Sequence, residues 1–252
     1  MKKIIDFVVK ETQRLNEDTI LLVLHSDELP EIHPGQFVNV QVNQAPVLLR
    51  RPLSVHDVDT EKGLLSLFIK MVGCATSALG ELHPGDKLNV ILPLGNSFNV
   101  PQTGKHLLIG GGCGIAPLLY LAKKMHQRGI KPVILFGARS RRDILRQQEY
   151  EKYGEVYYTT EDGSYGEQGY PTRHSILKST FDAVYCCGPE AMMKAVAQYA
   201  NQKNIDCYVS LENTMACGIG ACLCCVTQTT EGHKCVCTDG PIFHIKELTW
   251  QI

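Results

Sequence analysis

The first hundred residues carry short apolar runs separated by turn-forming residues. Residues 20–24 (ILLVL), 36–42 (QFVNVQV), 64–70 (LLSLFIK) and 87–92 (KLNVIL) are rich in Val, Ile, Leu and Phe, and branched or flat side chains suit a pleated surface. The opening stretch, MKKIIDFVVKETQRL, reads as a further strand because Asp6 and Lys10 interrupt its apolar run. His33-Pro34-Gly35 and His83-Pro84-Gly85 punctuate the pattern; proline presets one turn dihedral and glycine supplies positive φ. Short strands at this spacing predict a small antiparallel barrel over residues 1–101.

The rhythm changes near residue 104. HLLIG (106–110) reads as a buried strand, and PLLYLAKKMHQRG (117–129) has helical spacing closed by a glycine. PVILFG (132–137), EVYYTT (155–160) and AVYCCG (183–188) are strands, and EAMMKAVAQYANQ (190–202) is a helix. Alternating strands and helices predict a Rossmann-like α/β domain with a parallel sheet over 102–211. Residues 212–252 are short, glycine-rich and cysteine-rich, too few to bury a core of their own. A metal centre is therefore expected to hold them together. The predicted fold class is multidomain α+β, with neither internal repeat nor low-complexity linker.

A net charge of −1 gives no bias toward nucleic acid or an anionic membrane as partner. No stretch approaches the ~20 continuous apolar residues of a membrane span, and the charged N-terminus is a poor signal peptide. A cytoplasmic protein is expected. Against this ordinary background stand eleven cysteines, six of them between Cys217 and Cys237. An odd number without an export signal argues for metal rather than a disulfide framework.

Cys217, Cys222 and Cys225, with a further cysteine downstream, have the C-x4-C-x2-C…C spacing of plant-type [2Fe-2S] centres. A tight loop lets three thiolates converge, and Gly218 and Gly220 let its backbone pass close to the sulfides; the loop amides can bond cluster sulfurs. A four-cysteine zinc site on Cys222, Cys225, Cys235 and Cys237 is the alternative, and it leaves Cys217 unused. A Rieske centre lacks the C-x-H element it needs. For the fourth ligand, Cys237 is favoured over Cys235 because the TDGP turn after it can aim it back at the loop. Cys224 is expected to point away and pack.

Three weaker motifs precede the cysteines. GGGCGIAP (110–117) joins a strand to a helix, where a pyrophosphate can approach the backbone, or where the chain simply turns tightly. RRPLSV (50–55) offers an arginine for phosphate and a serine for a ring nitrogen, or is a surface strand end. In VGCATSALGEL (72–82), Thr76 or Ser77 can cap a short helix facing another phosphate, or merely cap it. Their order along the chain raises the joint reading above each part.

In that order the chain resembles the ferredoxin–NADP reductase superfamily and, more narrowly, the electron-transfer subunits of type B dihydroorotate dehydrogenases, over essentially its whole length. The resemblance implies an FAD-binding barrel, an NAD(H)-binding Rossmann-like domain and a small [2Fe-2S] domain over 212–252. It places Arg51, Pro52, Leu53 and Ser54 on the FAD motif, the arginine near the diphosphate and the serine near the isoalloxazine. Phe68, Ile69 and Lys70 fall on the next flavin strand, and Ala75 and Thr76 on the helix cap, where the family carries glycine before the threonine. Gly111, Gly112, Gly114, Ala116 and Pro117 match the nucleotide turn. Cys187, Gly188 and Pro189 match the nicotinamide-side motif, with Cys187 near the hydride-transfer face. Cys217, Cys222, Cys225 and Cys237 match the cluster ligands.

Electron counting then assigns the work: nicotinamide gives a hydride, the cluster takes single electrons, and FAD stands between them. No acid–base pair is expected, so the catalytic residues are none. The implied partner is an FMN-containing dihydroorotate dehydrogenase catalytic subunit, in a heterotetramer, in pyrimidine (UMP) synthesis. A hydrogenase or ferredoxin–NAD(P)H transhydrogenase subunit is the rival within redox chemistry, and a non-catalytic zinc module the rival outside it. Arg139, Arg141 and Arg142 can grip a 2′-phosphate or begin a solvated helix. Some of Ile219, Leu223, Val226, Pro241, Ile242 and Phe243 are expected to stay exposed around the cluster as an apolar docking patch, or Ile242 and Phe243 pack the small domain onto the Rossmann unit.

Overall fold

The computed structural model describes residues 1–251. Strands β1 (Lys3–Arg14), β2 (Thr19–His25), β3 (Phe37–Val40), β4 (Arg51–Asp59), β5 (Leu64–Lys70) and β6 (Lys87–Leu94) close into an antiparallel barrel in the order β1-β2-β5-β4-β3-β6. Period-two alternation fills its interior: Ile5, Phe7 and Val9; Ile20, Leu22 and Leu24; Leu65, Leu67 and Ile69; Leu88, Val90 and Leu92. Val38 and Val40 of β3 point into the same core, so Phe37 and Asn39 face outward, toward the rest of the molecule. A short helix, α1 (Cys74–Leu79), bridges β5 and β6.

The second unit is a seven-stranded sheet ordered β10-β9-β8-β7-β11-β12-β15. Its strands are β7 (His106–Gly111), β8 (Val133–Ala138), β9 (Glu155–Thr160), β10 (Glu167–Gln168), β11 (Ala183–Cys187), β12 (Asp206–Ser210) and β15 (Ile242–His244). β7, β8 and β11 read as continuous apolar runs because helices cover both faces of a parallel sheet. Those helices are α2 (Ala116–Gln127), α3 (Gln147–Glu151) and α4 (Glu190–Lys203). Gly129, at φ 78°, ends α2 where its N–H reaches His126. No helix among the described residues is long and apolar enough to cross a membrane.

The C-terminal segment has no core of its own, as expected, and shares the Rossmann one. Cys225, Val236, Cys237, Phe243, Ile245 and Leu248 pack in one cluster with Leu107, Ile109, Val184 and Val209. β15 adds to the sheet antiparallel to β12, pairing Phe243 with Val209, and a two-stranded hairpin of β13 (Val226–Thr229) and β14 (Gly232–Cys235) stands beside it. Asn96 ties the segment to the barrel: its amide donates to the carbonyls of Asp239 and Ile242 (both 2.8 Å) and accepts from Ile242 N–H (2.9 Å). The expected apolar docking patch is reduced accordingly, and Ile242 and Phe243 pack onto the Rossmann unit instead. Pro241, Ile242 and Phe243 are buried, Val226 is half-buried, and only Ile219 and Leu223 of the six stand exposed.

Candidate redox site

Two cavities meet where the barrel faces the sheet. The smaller, about 240 Å³, is walled on the barrel side by Pro52, Leu53, Ser54, Phe68, Ile69 and Lys70. β3 sets that wall in place by pairing Phe37 with Ser54 and Asn39 with Pro52. Ala116 and Cys113 close it from the glycine turn, Ser210 and Glu212 from the end of β12, and Asn213 and Met215 from the approach to the cluster loop. The larger, about 660 Å³, shares Phe68, Lys70, Cys113 and Glu212 with it and runs over Gly111, Gly112, Gly114, Gly188 and Pro189. Arg139 and Arg142 line its far end with Asp143 and Glu161, while Arg141 stacks on the Tyr165 ring at 4.3 Å.

The glycine turn is shaped by close approach. A Cβ on Gly114 would lie 2.3 Å from the Cys187 carbonyl oxygen, so the turn and the end of β11 meet backbone to backbone. Pro117 sits in the first turn of α2, where its missing N–H costs nothing; it is buried and lines neither cavity.

Other motif residues lie outside the cavities. Arg51 folds its guanidinium back on the Leu49 carbonyl at 2.6 Å, and Arg50 crosses the strands to Asn89 Oδ1 at 2.6 Å. The N-cap of α1 is Gly73, and neither Thr76 nor Ser77 occupies it. Thr76 caps from inside the helix: its Oγ1 accepts from the N–H groups of Val72 (2.9 Å) and Gly73 (3.2 Å) and donates to the Gly73 carbonyl (3.1 Å). Ala75 and Thr76 are both buried.

The thiol at the junction of the cavities is Cys113; Cys187 is buried behind the turn. Burial pushes Cys113 up to about 11, and it drives Cys187 higher still, aided by the Glu212 charge and opposed by a bond with Ser210. Glu212 is open to the cavity yet closely surrounded by protein, which raises its carboxyl pKa. At the rim, Lys70 Nζ lies 3.2 Å from Asp18 Oδ2. Cys113 stood inside a recognised motif, whereas nothing local marks Ser210 or Glu212.

The cysteine loop turns through positive φ at Gly218 (72°), Gly220 (87°) and Leu223 (58°). Its amides point at sulfur: Ile219 N–H donates to Cys217 Sγ at 3.4 Å, and Cys237 N–H donates to Cys225 Sγ at 3.3 Å. Burial acts to raise the Cys217 thiol, but donors on Ile219, Cys222 and Ala221 outweigh it and hold the group at about 6. Cys237 is pushed up to about 12 by burial and by its Cys225 neighbour. Cys217 thus neighbours Cys222, and Cys225 neighbours Cys237. Among the described residues no three His, Cys, Asp or Glu side chains close on a single metal ion. Sulfur-directed amides are what an iron–sulfur cluster needs, and the loop supplies them at Cys217 and Cys225. Cys235 is half-buried and also neighbours Cys225. Cys224 is exposed, so it does not pack as expected.

Known proteins match this layout. Family models for an oxidoreductase FAD-binding domain, an oxidoreductase NAD-binding domain and the iron–sulfur cluster binding domain of dihydroorotate dehydrogenase B match residues 6–98, 108–198 and 212–249. The dihydroorotate dehydrogenase B (NAD(+)) electron transfer subunit of Fusobacterium nucleatum is 36% identical over 96% of each chain. That of Geobacillus kaustophilus is 38% identical over 94% of this chain and 95% of its own. A chain from the NADH-dependent reduced ferredoxin-NADP oxidoreductase structure superposes with a TM-score of 0.89 at 31% identity, covering 97% of this chain and 90% of that one. The ferredoxin reductase of carbazole 1,9a-dioxygenase shares the fold, with a TM-score of 0.71 at 24% identity over 81% and 67%. An FAD-binding barrel, an NAD-binding sheet domain and an iron–sulfur domain in one chain, with relatives this similar end to end, place the protein in the family of dihydroorotate dehydrogenase B electron transfer subunits.

Proposed function

We propose that this chain carries electrons between NAD(H) and an FMN-containing dihydroorotate dehydrogenase subunit, in a heterotetramer that serves UMP synthesis. The observation that carries this is the 240 Å³ cavity, walled at once by the flavin strands, the nucleotide turn and the approach to the cluster loop. Bound there, FAD would accept a hydride and release electrons singly. Pro52, Leu53 and Ser54 would hold one side of its ring system, and Phe68, Ile69 and Lys70 the adjoining strand. Arg51 and the Ala75–Thr76 cap are assigned the diphosphate; this requires the Arg51 guanidinium to leave the Leu49 carbonyl. Gly111, Gly112, Gly114, Ala116 and Pro117 shape the turn against which NAD(H) lies, with Cys187, Gly188 and Pro189 behind its nicotinamide end. Cys217, Cys222, Cys225 and Cys237 would hold the cluster, and Cys217, with its lowered pKa, is ready to bind as thiolate.

The chain's own part is binding, orientation and exclusion of water; no side chain is asked to move a proton. The likeness to the ferredoxin-NADP oxidoreductase chain favours, as a second reading, delivery to a ferredoxin-linked partner. Reconstitution separates the two. The purified chain should oxidise NADH with artificial dyes alone, and should support NAD-linked dihydroorotate oxidation only with an FMN-bearing catalytic subunit. Reaction with ferredoxin, and none with that subunit, would establish the second reading instead.

A further inference from the structure

Asn39 lies on the outward face of β3, 1% exposed, with a link on either side. Along the sheet it is in register with Pro52, which lines the flavin cavity. Across the domain seam its Nδ2 donates to the main-chain carbonyl of Cys217 at 3.1 Å. A Cβ on the next residue, Gly218, would come within 2.8 Å of the same nitrogen, so amide and loop are in direct contact. The amide cannot be turned round, since its oxygen would then face the Cys217 oxygen. As placed, Asn39 Oδ1 is buried and has no partner, a cost that a packing residue would not carry. Arg50 donates to the Asn39 carbonyl at 3.3 Å and steadies the strand behind it. A second amide repeats the arrangement more loosely: Asn213, which also lines the flavin cavity, donates to the Cys225 carbonyl at 3.4 Å.

We infer that Asn39 is a positioning residue for the electron hand-off between flavin and cluster, tying the first cluster ligand to the flavin-bearing barrel; the inference rests on the function proposed above. The hand-off moves one electron from the NADH-reduced flavin to the cluster, and no bond of the chain forms or breaks. The side chain acts in two ways. It holds the loop at a set distance from the cavity wall that its own strand builds. Its donated bond also draws electron density from the Cys217 main chain, which favours the reduced, more negative cluster.

Asn39→Leu tests this on the holoprotein, because it keeps the volume and removes both the donor and the orphan oxygen. Iron and flavin content, and the rate at which NADH bleaches the flavin, should match wild type. The cluster should be reduced about tenfold more slowly. Titration with a chemical reductant, which does not depend on NADH, should show a lower cluster potential, by up to about 59 mV if the equilibrium shifts tenfold. A cluster potential and reduction rate equal to wild type would overturn the assignment. Should Asn39→Leu lose the cluster, Asn39→Gln decides, since it keeps the donor on a longer stem: a retained cluster with a slowed hand-off supports the assignment, and an unchanged one overturns it. A wild-type chain whose flavin NADH cannot bleach would overturn the functional reading instead, and the chemical titration would still judge Asn39.

Discussion

The two glycine-rich turns of this molecule do similar work by different means. The turn at 110–117 hangs between β7 and α2, and both of its ends are fixed by regular structure. Gly114 is required there by proximity, since any side chain would enter the Cys187 carbonyl. The loop at 217–225 has neither strand nor helix in front of it. Gly218 is required by its left-handed backbone, and the loop is held by amide side chains from outside, Asn39 and Asn213, and by its own thiols. The nucleotide turn is organised by the fold, and the cluster loop by a few polar contacts and by whatever the thiols bind.

The largest effect that would break this comparison is loss of a thiol. Cys225→Ser should abolish the cluster's visible absorbance and iron content while flavin stays bound, because the flavin walls stand without that thiol. Cys224→Ser, at an exposed position, should leave both intact. Gly114→Ala should act in the opposite sense. It forces backbone apart at a cost of about 3 kcal/mol or more, so NADH binding measured by calorimetry should fail while iron content holds. Loss of both cofactors in either variant would show that the turns are not independently organised.

A smaller change sharpens the same comparison. Asn96→Ala removes three side-chain hydrogen bonds to residues 239–242, worth roughly 3 kcal/mol together. Hydrogen exchange should then speed up across β15 and the cluster segment and not in the barrel strands.

The smallest predicted effect is in pH. His56, wholly buried between Phe68 and Tyr150, is held down to about 3, chiefly by burial and also by the Arg146 charge. Its Nδ1 meets the Ala116 carbonyl at 2.8 Å, so the neutral ring spans barrel and α2. The unfolded chain binds this proton below its ordinary pKa of about 6.5, and the folded chain does not until about 3. Stability should therefore fall as pH drops through 6.5 toward 3, by roughly 2 kcal/mol at pH 5. Urea unfolding of wild type and His56→Leu at pH 7 and pH 5 checks this; the variant should lose less stability on acidification.

The same contrast explains what could be read from the residues alone. Runs such as 64–70 and 155–160 coincide with β5 and β9, because period-two or continuous apolar patterns are set by which faces are buried. β12 and β15 carry no such signal: DCYVS is short and mixed, and IFH is three residues that look like an exposed patch until they pair. Thiol spacing pointed to the cluster loop, since ligand geometry is local. Convergence is not local, so Cys113, Ser210 and Glu212 were missed as cavity walls, and Asn39 and Asn96 belong to no motif. The cap of α1 went to Gly73 because the Thr76 hydroxyl bonds backward to the residues before the helix.

The central claim is that one chain passes electrons from nicotinamide through flavin to an iron–sulfur cluster. Anaerobic titration of the purified holoprotein with NADH, followed by visible absorption and low-temperature electron paramagnetic resonance, tests it most directly. The account predicts that the flavin bands bleach, that a reduced [2Fe-2S] signal appears, and that the chain consumes more NADH than its flavin alone can accept. Bleaching of flavin with no cluster signal, or a colourless protein containing zinc, would contradict it.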